Sequence, residues 1–166
     1  MTLPIRTQLA PSTLMRDYYI DVSPNGTTWT ALGGVTENNI NLDDASWQDD
    51  SDMDGGGARS QVKTAFGWGG TVVVRRGPTA AAPTAYDPGQ EIVRAAAIGK
   101  TGPANSVFIR MYEMGEDGPR EEAYSGRAGV QWGNPTGGND APRRATITFQ
   151  GQGALSQITH PDPVTP

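Results

Sequence analysis

Ser106-Val107-Phe108-Ile109-Arg110-Met111-Tyr112-Glu113-Met114 sets Val107, Ile109 and Met111 on one face and Phe108, Arg110 and Tyr112 on the other. A period of two belongs to a β-strand, whose successive side chains point to opposite faces, and here one face is apolar enough to cover a core. The same pattern continues downstream. Residues 121–132 and 143–151 read as two more strands, the last with Ala145, Ile147 and Phe149 inward and Thr146, Thr148 and Gln150 outward. Loops rich in glycine, proline and asparagine or aspartate, at 115–119 and 133–140, separate them.

Upstream, Tyr86-Asp87-Pro88-Gly89-Gln90-Glu91 opens the one convincing helix, about residues 88–98. Asp87 caps it, Pro88 fits the first helical position, and Gln90 completes an Asp-x-x-Gln capping box. Ile92, Val93 and Ala96 give it an apolar stripe, and Gly99 ends it. Earlier still, Asp17-Tyr18-Tyr19-Ile20-Asp21-Val22 alternates, with Tyr18, Ile20 and Val22 on one face. Ser23-Pro24-Asn25-Gly26 then turns the chain into Thr27-Thr28-Trp29-Thr30-Ala31, with Trp29 inward. Residues 35–42 form a third, more polar strand, and residues 60–76 a long one, bent or bulged at Gly67, Gly69 and Gly70. Strands, one helix, then strands define a mainly β fold, a β-sandwich or barrel with a single flanking helix. Residues 1–14 read as an N-terminal arm, 15–155 as the domain and 156–166 as a proline-broken tail.

The chain has 166 residues, 22 of them glycine and 13 proline, which suits short strands joined by many turns. Its net charge of −5 argues against tight binding to nucleic-acid phosphates. Without cysteine it has no disulfide, thiolate metal site or cysteine nucleophile. No window approaches the roughly 20 apolar residues of a membrane span, so a soluble protein made in a cytosol is expected, with no membrane partner.

Between the third and fourth strands lies Leu42-Asp43-Asp44-Ala45-Ser46-Trp47-Gln48-Asp49-Asp50-Ser51-Asp52-Met53-Asp54-Gly55-Gly56-Gly57, with six aspartates and no basic residue. Such a segment has little to bury and repels itself, so it reads as a long structureless loop kept for a ligand or a partner. Asp50-x-Asp52-x-Asp54-Gly55 matches the first half of a calcium loop. The match fails at its twelfth position, where Gln61 replaces the bidentate glutamate, so no metal ligand or cofactor is assigned. Trp47, a large aromatic in a solvated loop, instead suggests an anchor that buries on assembly.

Other chemistry finds little support. His160, the sole histidine, falls in the broken tail and reads as a surface residue. Gly151-Gln152-Gly153 lacks the third glycine of a phosphate-binding turn. Arg75-Arg76 and Arg143-Arg144 sit at strand ends, where solvation is the default, or where they meet acidic loops of neighbouring subunits. Trp29 and Trp132 read as core. No catalytic residue is assigned, and no enzyme is expected. The candidate inter-subunit contacts are Asp43, Asp44, Trp47, Asp49, Asp50, Asp52, Asp54, Arg75, Arg76, Arg143 and Arg144.

An ordered set of segments resembles the major tail tube proteins of bacteriophages with long non-contractile tails, the siphophage type, especially phages of actinobacteria. These are Asp17-Tyr18-Tyr19-Ile20-Asp21-Val22 through Thr27-Thr28-Trp29, Gly34-Val35-Thr36-Glu37-Asn38-Asn39, and Gln48-Asp49-Asp50-Ser51-Asp52. Tyr86-Asp87-Pro88-Gly89-Gln90-Glu91, Tyr124-Ser125-Gly126-Arg127-Ala128 to Gln131-Trp132, and Ala145-Thr146-Ile147-Thr148-Phe149-Gln150-Gly151-Gln152-Gly153 complete it. The resemblance implies a barrel-like subunit in hexameric rings, stacked into a tube through which phage DNA passes without tight binding. It also implies a place in the virion tail, synthesis in the host bacterial cytoplasm, and tape measure, tail terminator and distal tail proteins as partners. The loop at 43–60 would reach the adjacent ring. A calcium-assisted, Ig-like binding or adhesion module is the alternative.

Overall fold

The structure, a computed structural model, describes residues 18–51, 59–114 and 120–162. The expected arm at 1–14, Asp52, Asp54, Gly55 to Gly57 and the loop at 115–119 lie outside the described residues. The strands are β1 (Tyr18–Ser23), β2 (Thr30–Ala31), β3 (Val35–Asn41), β4 (Ser46–Asp49), β5 (Gln61–Ala65), β6 (Gly69–Arg75), β7 (Ser106–Glu113), β8 (Ala123–Trp132) and β9 (Arg144–Gln157). Among the described residues one α-helix, α1 (Pro88–Ala97), stands between β6 and β7 in the chain. Seven strands form an antiparallel sheet in the order β2-β1-β7-β8-β9-β6-β3, while β4 and β5 pair apart from it. The sheet curls into a half-barrel, and α1 packs against β1, β2, β7 and β8.

Register explains the core. Ile20 faces Met111, Val22 faces Ile109, Val130 faces Phe149, and Val72 faces Ile147. Each alternating apolar set therefore lands on one side of the sheet, where Val93 of α1 joins it, and these side chains are almost fully buried. Burying each such side chain contributes about 1.5–3 kcal/mol, which makes the inward face the main source of stability.

Asp87 caps α1 as expected, its carboxylate accepting from the Gln90 N–H at 2.9 Å. Gln90 does not reciprocate. Its Nε2 donates to the carbonyls of Gly33 at 2.8 Å and Arg75 at 3.0 Å, so the box is half formed and Gln90 instead fastens the helix to the sheet. Gly89 permits that approach, since a Cβ there would lie 2.2 Å from the Ala31 carbonyl oxygen.

Several expectations are corrected. The returning strand at 27–31 shrinks to Thr30–Ala31. Side chains take the backbone donors that a longer ladder needs: Ser23 Oγ accepts from the Asn25 and Gly26 N–H groups, and Asn25 Oδ1 from Thr27 and Thr28. Trp29 is half-buried, with the Arg110 guanidinium 4.8 Å from its ring centre. The long strand at 60–76 is two strands, because Trp68 turns inward between them and is 4% exposed. Its indole lies against β8 and β9 where Gly126 and Gly151 leave room, and Nε1 donates to the Gly153 carbonyl at 3.0 Å. The segment at 43–60 is not structureless throughout either: β4 within it pairs antiparallel with β5.

The tail also differs. β9 runs to Gln157, and the Ile158 N–H donates to the Ala123 carbonyl. His160 is buried rather than on the surface. Its Nδ1 accepts from the Asp162 N–H at 3.0 Å, so Nε2 carries the proton and donates to the Glu113 carbonyl at 2.6 Å. The ring stands edge-on to Tyr112, 5.3 Å between centres, and the histidine thus pins the tail to β7.

Candidate interaction surfaces

The β4–β5 ribbon leaves the sheet where β3 ends and β6 begins, at the pair Asn41 and Gly69. The Asp44 N–H donates to the Gly67 carbonyl at 2.8 Å and closes its base. All four residues of β4 are exposed. Trp47 is 57% exposed and Phe66 79%, large apolar surfaces that nothing among the described residues covers. Alternation along β4 sets Trp47 and Asp49 on one face of the ribbon, with Lys63 and Gln61 opposite them on β5.

Of the predicted acidic residues, Asp43, Asp44, Asp49 and Asp50 are described and exposed. Asp43 is matched within the chain, its carboxylate 2.5 Å from Lys63 Nζ. Hydrogen bonding from Ser51 holds the Asp49 carboxyl below its ordinary range, which keeps it charged. The Asp50 N–H donates to the Ser60 carbonyl, continuing the ribbon beyond β4. The predicted calcium run Asp50-x-Asp52-x-Asp54 is therefore described only at Asp50. Among the described residues no group of three or more metal-ligating side chains comes together.

The two arginine doublets converge. Arg75 pairs with Arg144 across β6 and β9, and the Arg76 N–H donates to the Arg143 carbonyl at 2.7 Å. Arg75, Arg143 and Arg144 are exposed, Arg144 lying 3.8 Å from Glu37. Arg76 is buried. It is ion-paired with Glu91 and donates to Gln90 Oε1 at 3.2 Å. Its guanidinium stacks on Tyr86, 3.7 Å from the ring centre, with Trp132 at 5.2 Å. Arg94 also pairs with Glu91, and hydrogen bonding from Arg94, then from Arg76, outweighs burial and lowers the Glu91 carboxyl. Around them opens a recess of about 330 Å³ lined by Arg76, Tyr86, Arg94, Ile98, Trp132 and Arg143. Sequence reasoning found the arginines but not Tyr86, Arg94 and Ile98, whose role depends on where α1 meets the end of β8.

Ribbon and recess occupy opposite ends of the sheet. The ribbon springs from Gly69 and the arginines lie at Arg75 and Arg76, so roughly 20 Å of β6 separates them at about 3.3 Å per residue. They do not meet within one chain.

Elsewhere, Asp21 is buried on the other face of β1, accepting from Arg110 Nε at 2.7 Å and the Tyr112 hydroxyl at 3.0 Å. Burial first, then the Asp21 charge, pushes the Tyr112 hydroxyl up to about 12. This network joins β1 to β7 and uses up its own charges. No helix among the described residues is long and apolar enough to cross a membrane.

No protein-family model matches the chain, and no curated protein matches it. Among solved structures, a chain of the anti-feeding prophage baseplate, determined by cryo-electron microscopy with six-fold symmetry applied, is similar in fold. The TM-score is 0.51 at 11% identity, over 98% of this chain and 100% of that one. At that identity the likeness is one of fold.

Proposed function

We propose that this chain is a structural subunit of a phage-tail particle, the major tail tube protein, forming hexameric rings that stack into a conduit for DNA. One observation carries the reading. An acidic ribbon with exposed aromatics leaves one end of the sheet, and an arginine cluster closes the other. Complementary surfaces at opposite ends make a head-to-tail contact, which repeats along an axis instead of closing in a symmetric pair. The similar fold of a chain in a six-fold symmetrised baseplate supports a ring of six. The net charge of −5 suits a wall past which DNA must slide without binding. In this role the protein resides in the virion tail after synthesis in the host cytoplasm, and it meets tape measure, terminator and distal tail proteins at the ends of the tube. Its role is structural, not enzymatic.

Electron microscopy of the purified chain over a concentration series tests this. Rings or tubes of uniform diameter are expected above a threshold concentration. A monomer at every concentration, with a melting temperature that rises steeply with calcium, would instead establish the calcium-assisted binding module.

A further inference from the structure

We infer that the recess at Tyr86, Ile98, Trp132 and Arg143 is the receptor for Trp47 of a second copy of this chain, an assignment that rests on the tube reading above. The recess is open to solvent and has about 330 Å³, space enough for an indole to lie against its walls. Its walls are the rings of Tyr86 and Trp132 and the side chain of Ile98, which is 56% exposed among the described residues. Arg94 and Arg143 stand at the rim, and Arg76 is held among the aromatic rings.

The ribbon offers the complementary set. Trp47 is 57% exposed, and Asp49, two residues on, shares its face about 7 Å away. An indole seated against Trp132 and Ile98 thus brings a carboxylate to the arginine rim. An aromatic buried inside a rim of contacts that exclude water is the usual construction of an interface hot spot. Charge also selects the occupant. The described part of the ribbon carries Asp43, Asp44, Asp49 and Asp50 against Arg59 and Lys63, so it suits the arginine rim and is repelled by another ribbon.

The chain has no cysteine, so introduced thiols report directly. Gln61, opposite Asp49 on the ribbon, and Asn134, on the recess, are both exposed. Under assembling conditions with an oxidant, an equimolar mixture of Gln61→Cys and Asn134→Cys chains should give a disulfide-linked dimer, and neither variant alone should. Adding Trp47→Ala to the Gln61→Cys chain should raise the concentration needed for cross-linking about tenfold or more. Tubes that grow while the mixture stays uncross-linked would overturn the recess and leave the tube reading standing. Cross-linking without rings or tubes would support the recess and sink the tube. An undiminished cross-link in the Trp47→Ala chain would remove the indole from the contact.

Discussion

Gln90→Leu should destabilise the fold by about 3 kcal/mol, because this one amide joins three elements. Its side chain is 2% exposed. Nε2 donates to the Gly33 and Arg75 carbonyls, and Oε1 accepts from Arg76 Nη1. Neutral hydrogen bonds contribute about 0.5–1.5 kcal/mol each and one to a charged group about 1.5–3, so the three together give about 4 kcal/mol. Leucine returns about a quarter of this as apolar burial, while the stranded Arg76 donor adds to the loss. At about 2–4 °C per kcal/mol for a chain of this size, the melting temperature should fall by about 6–12 °C. Urea unfolding followed by tryptophan fluorescence reads the change as a lower midpoint at constant slope. Combined with Arg76→Met, the double variant should cost less than the sum, since both remove one shared contact. A loss below about 1 kcal/mol would refute the reasoning, showing that the two carbonyls and the guanidinium are satisfied without Gln90.

Gly89→Ala tests the same junction from the backbone. Its Cβ would meet the Ala31 carbonyl oxygen at 2.2 Å, so despite the helix propensity alanine brings, a net loss of about 1–3 kcal/mol is expected in thermal melts; an unchanged melt would show that α1 slides freely on β2. Glu91 sets a pH dependence. Its folded carboxyl titrates below the ordinary 4.5, chiefly through Arg94, so the unfolded chain takes up this proton first as pH falls. Its contribution is complete above the unfolded value and is lost as pH falls through the folded one. The difference in melting temperature between the natural chain and Glu91→Gln should therefore hold steady at neutral pH and close below about pH 4.5; a constant difference down to strong acid would contradict the pairing.

The parts of the fold legible in the sequence are those that neighbours in the chain decide. Alternation at Val107, Ile109 and Met111 predicts the inward face because the pleat itself has a period of two. Asp87-Pro88 marks the start of α1 because capping is settled within four residues. What escaped depends on distant partners. Trp68 is core because Gly126 and Gly151, far along the chain, leave it a bed, while Trp29 and Trp132, equally apolar, are covered only in part. Arg76 lies at a strand end like Arg75, yet α1 brings Glu91 and Tyr86 over it and takes it out of solvent. His160 follows a broken segment but finds the Glu113 carbonyl, which no spacing in the sequence announces. The candidate surface was half visible in the same way: charge identified the ribbon and the arginines, and only the fold sets them at opposite ends of one sheet.

The ribbon poses a problem whose solution bears on assembly. A two-stranded ribbon with no core beneath it is marginal alone, and both outer edges of β4 and β5 stay open among the described residues. Open edges invite pairing with any other strand, most readily with an identical one. Trp47, Val62 and Phe66, all exposed, would strengthen such a contact. The aspartates act against it, since two ribbons laid edge to edge bring Asp44, Asp49 and Asp50 of each against those of the other, and like charges directly opposite are destabilising. The same charges are attracted to the arginine end of the sheet. In the head-to-tail assembly proposed above, repulsion between like ends and attraction between unlike ends would disfavour the symmetric dimer. On that proposal, the acidity of the ribbon is as much a rule about which contacts are refused as about which is made.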